Sequence, residues 1–253
     1  MKKCPYAVGR MAMKIADAIR SLFGAKKRIE KQGVARSHEM LQQHVEMLRT
    51  LPWLSKLDEE VFQQVMGGFE IREFPQEAVL LKEQDADSGM FVIVSGKVKI
   101  EIRGITMDTV GEGSLVGEMA VLTGYPRTAS VIAVSPVEVA WIETDRLKTI
   151  MKKSVELENS LWEFASMRFA MNLLGKREPF NQWEQNKFVQ WLATGVIKLP
   201  NENGWIDLEG KVGVLVTGTA ALHDGSIVVK SPSTLVGKDY IFSKEARVFL
   251  RDK

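Results

Sequence analysis

Glu118 and Arg127 stand nine positions apart inside "VGEMAVLTGYPRTAS", residues 116–130. Their side chains suit two different parts of one ligand. The Arg127 guanidinium is a fixed-charge fork of N–H donors that matches a phosphate. The Glu118 carboxylate is acceptor-only and matches sugar hydroxyls. A tight segment after "VGEGSLVGE" lets backbone N–H groups converge on one point, a small anion cradle. Ala120 and Ala129 are small enough for a ligand to approach the backbone. The set fits a compact phosphorylated sugar. The alternative at this stage is structural, a Glu118–Arg127 ion pair on a turn.

Other chemistries have less support. His38, His44 and His223 are scattered and accompanied by one cysteine, Cys4, so no metal site is expected. No Ser/His/Asp set stands out, and no G-x-x-x-x-G-K-[ST] occurs. "GEGSLVG" sits among short strands with no long helix after it, which fails the dinucleotide-binding pattern. The expectation is a binding protein, not an enzyme, with no cofactor.

The elements that must position these residues are short strands. "FEIREF", "AVLLKE", "MFVIVSG", "KVKIEIRG" and "TMDTVG" precede the motif; "ASVIAVS" and "VEVAWIE" follow it. So many strands in so short a span predict a sandwich or jelly roll. Helical patterns flank them. Residues 37–66 read as helix broken at Pro52, with Ser55 or Asp58 as the new N-cap. "TDRLKTIMKKS" and "VELENSLWEFASMRFAMNLLG" read as helices, the second stopping at Gly175.

Residues 176–253 start again with a helical "WEQNKFVQWLATG", then "GVIKLP", "GWIDLEG", "VGVLVTGTAALHDG", "SIVVKS" and "ARVFLRD" as strands. "MFVIVSGKVKIEI" matches "VGVLVTGTAALHD", and "SLVGEMAVL" matches "STLVGKDYIF". An internal duplication is therefore expected. In that alignment Lys238 replaces Glu118, and no Pro-Arg pair follows it.

Composition sets outer bounds. Apolar residues make up 45% and charged residues 26%, as in globular proteins. No apolar run is long enough for a membrane span, and no leader pattern opens the chain. One cysteine fits a reducing, cytoplasmic setting. The net charge of +2 conceals +8 in residues 1–36 and −6 in the rest. "MAMKIADAIRSLFGAKKRIEK" has helical apolar spacing and reads as a basic linker helix, with membrane-surface and partner-binding helices as alternatives.

Residues 69–150 resemble the cyclic nucleotide-binding domain of kinase regulatory subunits, gated channels and bacterial catabolite-type regulators. "DADSGMFVIVSGKVKI" is similar to the family's strand–Gly–strand signature, and "VGEMAVL…PRTAS" to its phosphate-binding cassette. The resemblance implies an α+β fold: a β-roll (jelly-roll) domain flanked by helices and followed by a second, degenerate β-roll. It divides the chain into a basic helical linker (1–50), a cyclic nucleotide-binding domain (51–175) and a β-roll without ligand (176–253).

It also implies roles. Glu118 takes the ribose 2′-hydroxyl. Arg127 takes the cyclic phosphate, with amides near Met119, Ala120 and Thr128. Gly117 and Ala129 complete the pocket, and the Thr128 hydroxyl reads guanine. The last helix, 155–174, acts as a lid through Phe164, Arg168 and Met171; the alternative is that Phe164 and Met171 simply pack on the β-roll. One departure is Gln84, where the family usually has Gly; it is expected to reshape a loop without touching the pocket. The implied ligand is cAMP in preference to cGMP. The order of elements resembles the cytosolic tails of sperm-type and plant salt-tolerance Na+/H+ exchangers. That suggests a membrane transporter or channel as partner or parent chain, placing the protein at the cytoplasmic face of a membrane, and a homodimer as one assembly. With strands and mixed charge in residues 176–253 in place of a basic recognition helix, DNA is not an expected partner. The competing reading is an interaction module that keeps the fold without a ligand.

Overall fold

The computed structural model describes residues 37, 39–86, 88–237 and 239–252. The basic segment 1–36, His38 and Lys238 lie outside them. A helix over 39–49 (α1) leads through turns to α2 (Glu59–Met66). Of the two candidate caps, Asp58 does the work: its carboxylate accepts the Val61 N–H at 2.8 Å.

The first β unit contains β1 (Phe69–Phe74), β2 (Val79–Leu81), β3 (Gly89–Ser95), β4 (Val98–Ile102), β5 (Ile105–Val110), β6 (Leu115–Val116), β7 (Ser130–Ala133) and β8 (Val137–Glu143). A six-residue helix, α3 (Glu118–Thr123), interrupts the strands between β6 and β7. Two antiparallel sheets form, ordered β1-β8-β3-β6 and β2-β7-β4-β5. The near-continuous apolar run of β3 has a direct cause: both its faces are buried. Phe91 and Ile93 enter the core between the sheets with Val98, Val131 and Val139. Met90, Val92 and Val94 face a second core built with Leu41, Trp53, Phe62, Leu147 and Leu157.

After α4 (Thr144–Met151), the long helix α5 (Val155–Leu174) leads through a 3-10 turn (Phe180–Gln182) to α6 (Gln185–Ala193). Ser154 caps α5, and Gly175 ends it. The second β unit then follows: β9 (Val196–Lys198), β10 (Lys211–Thr217), β11 (Thr219–Leu222), β12 (Val228–Lys230), β13 (Ser233–Leu235), β14 (Tyr240–Phe242) and β15 (Arg247–Asp252). Its sheets are ordered β9-β15-β10-β13 and β12-β11-β14. The first order repeats β1-β8-β3-β6 strand for strand, and the second repeats β5-β4-β7 without the β2 equivalent. The duplication is thus a repeat of topology.

Two sequence expectations need correction. "GWIDLEG" is not a strand. Ile206 and Leu208 are buried, but local bonds hold the backbone instead of a ladder. The Asn201 side chain accepts the Asn203 and Trp205 N–H groups, and Asp207 accepts that of Glu209. Second, "KDYIF" does not repeat the cassette helix. Tyr240–Phe242 is a strand paired with β11, the counterpart of β7. The repeat joins β13 to β14 through residues 236–239 alone, where the first unit has residues 117–129 and a helix.

α5 belongs to both halves. Leu157 and Leu161 are buried in the first unit's helical core. Trp162, Ala170 and Leu174 pack with Val214, Val216 and Phe249 of the second unit. Arg247 of β15 adds an ion pair to Glu158 at 3.3 Å and lies 4.2 Å from the Trp162 ring centroid. Burial pulls the Arg247 guanidinium below its usual pKa, and Glu158 pulls it back up.

Candidate functional site

Residues 117–129 form the loop that the sequence singled out. Gly117 opens it in the left-handed region, at φ 86°, and turns the chain into α3. No other residue type suits this point: an added Cβ would lie 2.7 Å from Arg127 Nη1 and 2.9 Å from Leu81 Cδ1. Gly117 at the N-cap has no side chain to cap α3's first turn, where Met119 and Ala120 follow Glu118.

Arg127 is 3% exposed. Its Nη1 donates to the Gly117 carbonyl at 2.6 Å and its Nη2 to the Gly89 carbonyl at 2.5 Å. A buried cation needs such acceptors to offset its lost hydration. These two place the guanidinium at the base of the loop, between β3 and α3. The Arg127 backbone is held as well: its N–H donates to the Asp85 carbonyl, and its carbonyl accepts the Gln84 N–H. Gln84 has φ 69°, the left-handed conformation that glycine adopts without cost. The substitution at this turn therefore keeps the glycine-like backbone, and the turn bonds directly to Arg127. That bond is made by the backbone, as glycine would make it, so the expected reshaping of the loop by Gln84 is not seen.

Glu118 is 5% exposed. Its ion-pair partner is Arg168 of α5, at 3.2 Å, and not Arg127. The same Arg168 Nη1 donates to the Leu115 carbonyl. The structure thus brings Gly117, Glu118 and Arg127 together and adds Arg168 from the expected lid. Thr128 is exposed, and Ala129 leads into β7 half-buried. Of the other two lid residues, Phe164 packs on the first helical core, with the Arg168 guanidinium 5.9 Å from its ring. Met171, like Met119 and Leu122, packs against the core that α5 shares with α6 and the second unit. Sequence reasoning missed Gly89 as an acceptor; its glycine at the head of an apolar strand was the available signal. Among the described residues no cluster suited to a metal ion occurs.

Residues 71–154 match the family model of the cyclic nucleotide-binding domain, about a third of the chain, including both Glu118 and Arg127. The cGMP-dependent protein kinase, isozyme 1, of Drosophila melanogaster is 25% identical over a 158-residue match that covers 58% of this chain and 21% of the kinase. The chain thus spans about a fifth of that curated relative's length. Among solved structures, the regulatory domain of Toxoplasma gondii PKA with cAMP is 15% identical, with a TM-score of 0.46 over 85% of this chain and 89% of that one. A cyclic nucleotide-binding domain from Methylobacillus flagellatus KT is 23% identical, with a TM-score of 0.47 over 54% of this chain and 82% of that one. The family match thus falls on the first β-roll, and a second β unit follows it. No described helix is long and apolar enough to cross a membrane.

Proposed function

We propose that this chain is a regulatory module that binds a cyclic nucleotide, cAMP in preference to cGMP, in the 117–129 loop and passes the event to α5. The observation that carries this reading is the buried Arg127, fixed by the Gly117 and Gly89 carbonyls beside the buried Glu118. Within the matched domain, Arg127 takes the cyclic phosphate and Glu118 a ribose hydroxyl. The amides of Met119 and Ala120 lie at the open end of α3, where negative charge is favoured.

Transmission follows from the second partner of Glu118. A ribose hydroxyl that donates to this carboxylate changes its bond with Arg168, and so the position of α5 relative to the β-roll. Because α5 is packed into the second unit through Trp162 and Arg247, the shift is felt there. A differential affinity worth roughly 1–3 kcal/mol is enough for regulation of this kind. The second β unit binds no cyclic nucleotide in this reading, which its short 236–239 connection supports. An ion exchanger is one form of the output; the order of elements alone supports it.

Isothermal calorimetry of the full chain with cAMP and cGMP tests the proposal. Saturable binding at one site, tighter for cAMP and lost in Arg127→Ala, is expected. No heat with either nucleotide would leave the interaction-module reading.

A further inference from the structure

We propose that the second β-roll carries a separate site for a small organic anion with a flat apolar body. A cavity of about 420 Å³ lies there, walled by β9, the end of β15, the start of β10 and the connection between β9 and β10. Its size is within the roughly 300–1,000 Å³ of small-molecule pockets. It does not sit at the repeat's equivalent of the cassette, the 236–239 connection.

Three observations give the ligand class. First, the apolar wall is left open to solvent. Trp205 is 47% exposed, Leu199 57% and Val196 51%, and all three line this one cavity above the buried Ile206 and Leu250. Large apolar side chains scattered singly over a surface need no explanation, but three converging on a concavity mark a binding site. Second, the backbone that carries the indole is held in place. The Asn201 side chain accepts the Trp205 backbone N–H at 2.9 Å, and the Asn201 N–H donates to the Trp205 carbonyl at 3.0 Å. The attachment point of the ring is thereby set, and its exposed face offers a flat ligand a stacking surface. Third, the rim carries an excess positive charge. Lys211 pairs with Asp207 at 3.2 Å and Arg251 with Asp252 at 3.4 Å, which leaves the Lys198 ammonium as the surplus. An anionic group beside an apolar plate matches both features.

The probe is 8-anilinonaphthalene-1-sulfonate, compared with N-phenyl-1-naphthylamine, the same ring system without the sulfonate. Each is titrated into the full chain and followed by its fluorescence. Saturable binding is expected, with the sulfonate tighter by about five-fold, which corresponds to roughly 1 kcal/mol. Lys198→Gln is expected to remove that difference at an unchanged melting temperature. Trp205→Ala is expected to weaken both probes about ten-fold or more. The proposal is overturned if neither probe saturates, if both bind the unaltered chain equally, or if Trp205→Ala leaves the titrations unchanged. Lys198 is exposed, so its variant tests the anion preference even if Trp205→Ala fails to fold.

Discussion

Glu118 Oε1 and Arg168 Nη1 meet at 3.2 Å, joining the first residue of α3 to the middle of α5. The acid is buried and the base about a third exposed, so the pair is neither a surface ion pair nor a fully desolvated one. Removing Arg168 alone leaves a buried carboxylate without its partner. Arg168→Gln is expected to lower the melting temperature, and the loss should shrink when Glu118→Gln is added. Denaturant unfolding of the two single variants and the double variant measures the coupling, expected at about 1 kcal/mol or more. Additive losses would mean that the contact holds nothing together.

Arg127→Ala should act on both binding and fold. A charge-assisted bond contributes about 1.5–3 kcal/mol, so cyclic nucleotide affinity should fall by roughly ten- to 150-fold. The fold should weaken as well, because the Gly117 and Gly89 carbonyls lose the Arg127 donor. The melting temperature should therefore fall too, and calorimetry must be run well below it. An affinity unchanged in the folded variant would remove Arg127 from the site.

Gln84→Gly should stabilise the protein. A non-glycine residue in the left-handed region costs roughly 1–2 kcal/mol, and part of that returns as the greater unfolded-state entropy of glycine. A net gain of about 0.5–1 kcal/mol is expected in urea unfolding, with nucleotide affinity preserved because both backbone bonds to Arg127 remain. A loss of stability would show that the Gln84 side chain supports the turn.

The first unit was legible because its signals are local. "FEIREF" and "VEVAWIE" coincide with β1 and β8, and Asp58 and Gly175 bound their helices as their residue types suggest. The pairing of Glu118 with Arg168 was not legible, since the two stand fifty positions apart and meet only once the chain between them has folded. Nor was the non-strand path of "GWIDLEG", because its alternating apolar pattern buries Ile206 and Leu208 equally well from an irregular backbone. β6, β13 and β14 are two or three residues long, too short for any periodicity to show. The lost cassette of the repeat was hidden for a related reason: "STLVGKDYIF" aligns with "SLVGEMAVL" by composition, while strand pairing places its second half on another element.

Thr128 is exposed beside Arg127 and so is free to meet a base. Thr128→Ala is expected to lower cGMP affinity more than cAMP affinity, by about two- to twelve-fold for one hydroxyl bond of roughly 0.5–1.5 kcal/mol. Competition titrations with both nucleotides decide it. Equal losses would mean that the hydroxyl does not distinguish the bases.

The sharing of α5 predicts where the chain can be cut. A fragment of residues 176–253 ends the first unit cleanly in sequence but strips Trp162, Ala170 and Leu174 from Val214, Val216 and Phe249. Each large apolar side chain so exposed costs about 1.5–3 kcal/mol, comparable in sum with the whole stability of a small domain. That fragment is expected to lack a cooperative melting transition, whereas residues 155–253 should unfold cooperatively. Circular dichroism melts of the two fragments provide the comparison. If the shorter one melts as sharply and as high as the longer, α5 is not part of the second unit's core, and a shift of this helix cannot be how the second unit senses the ligand.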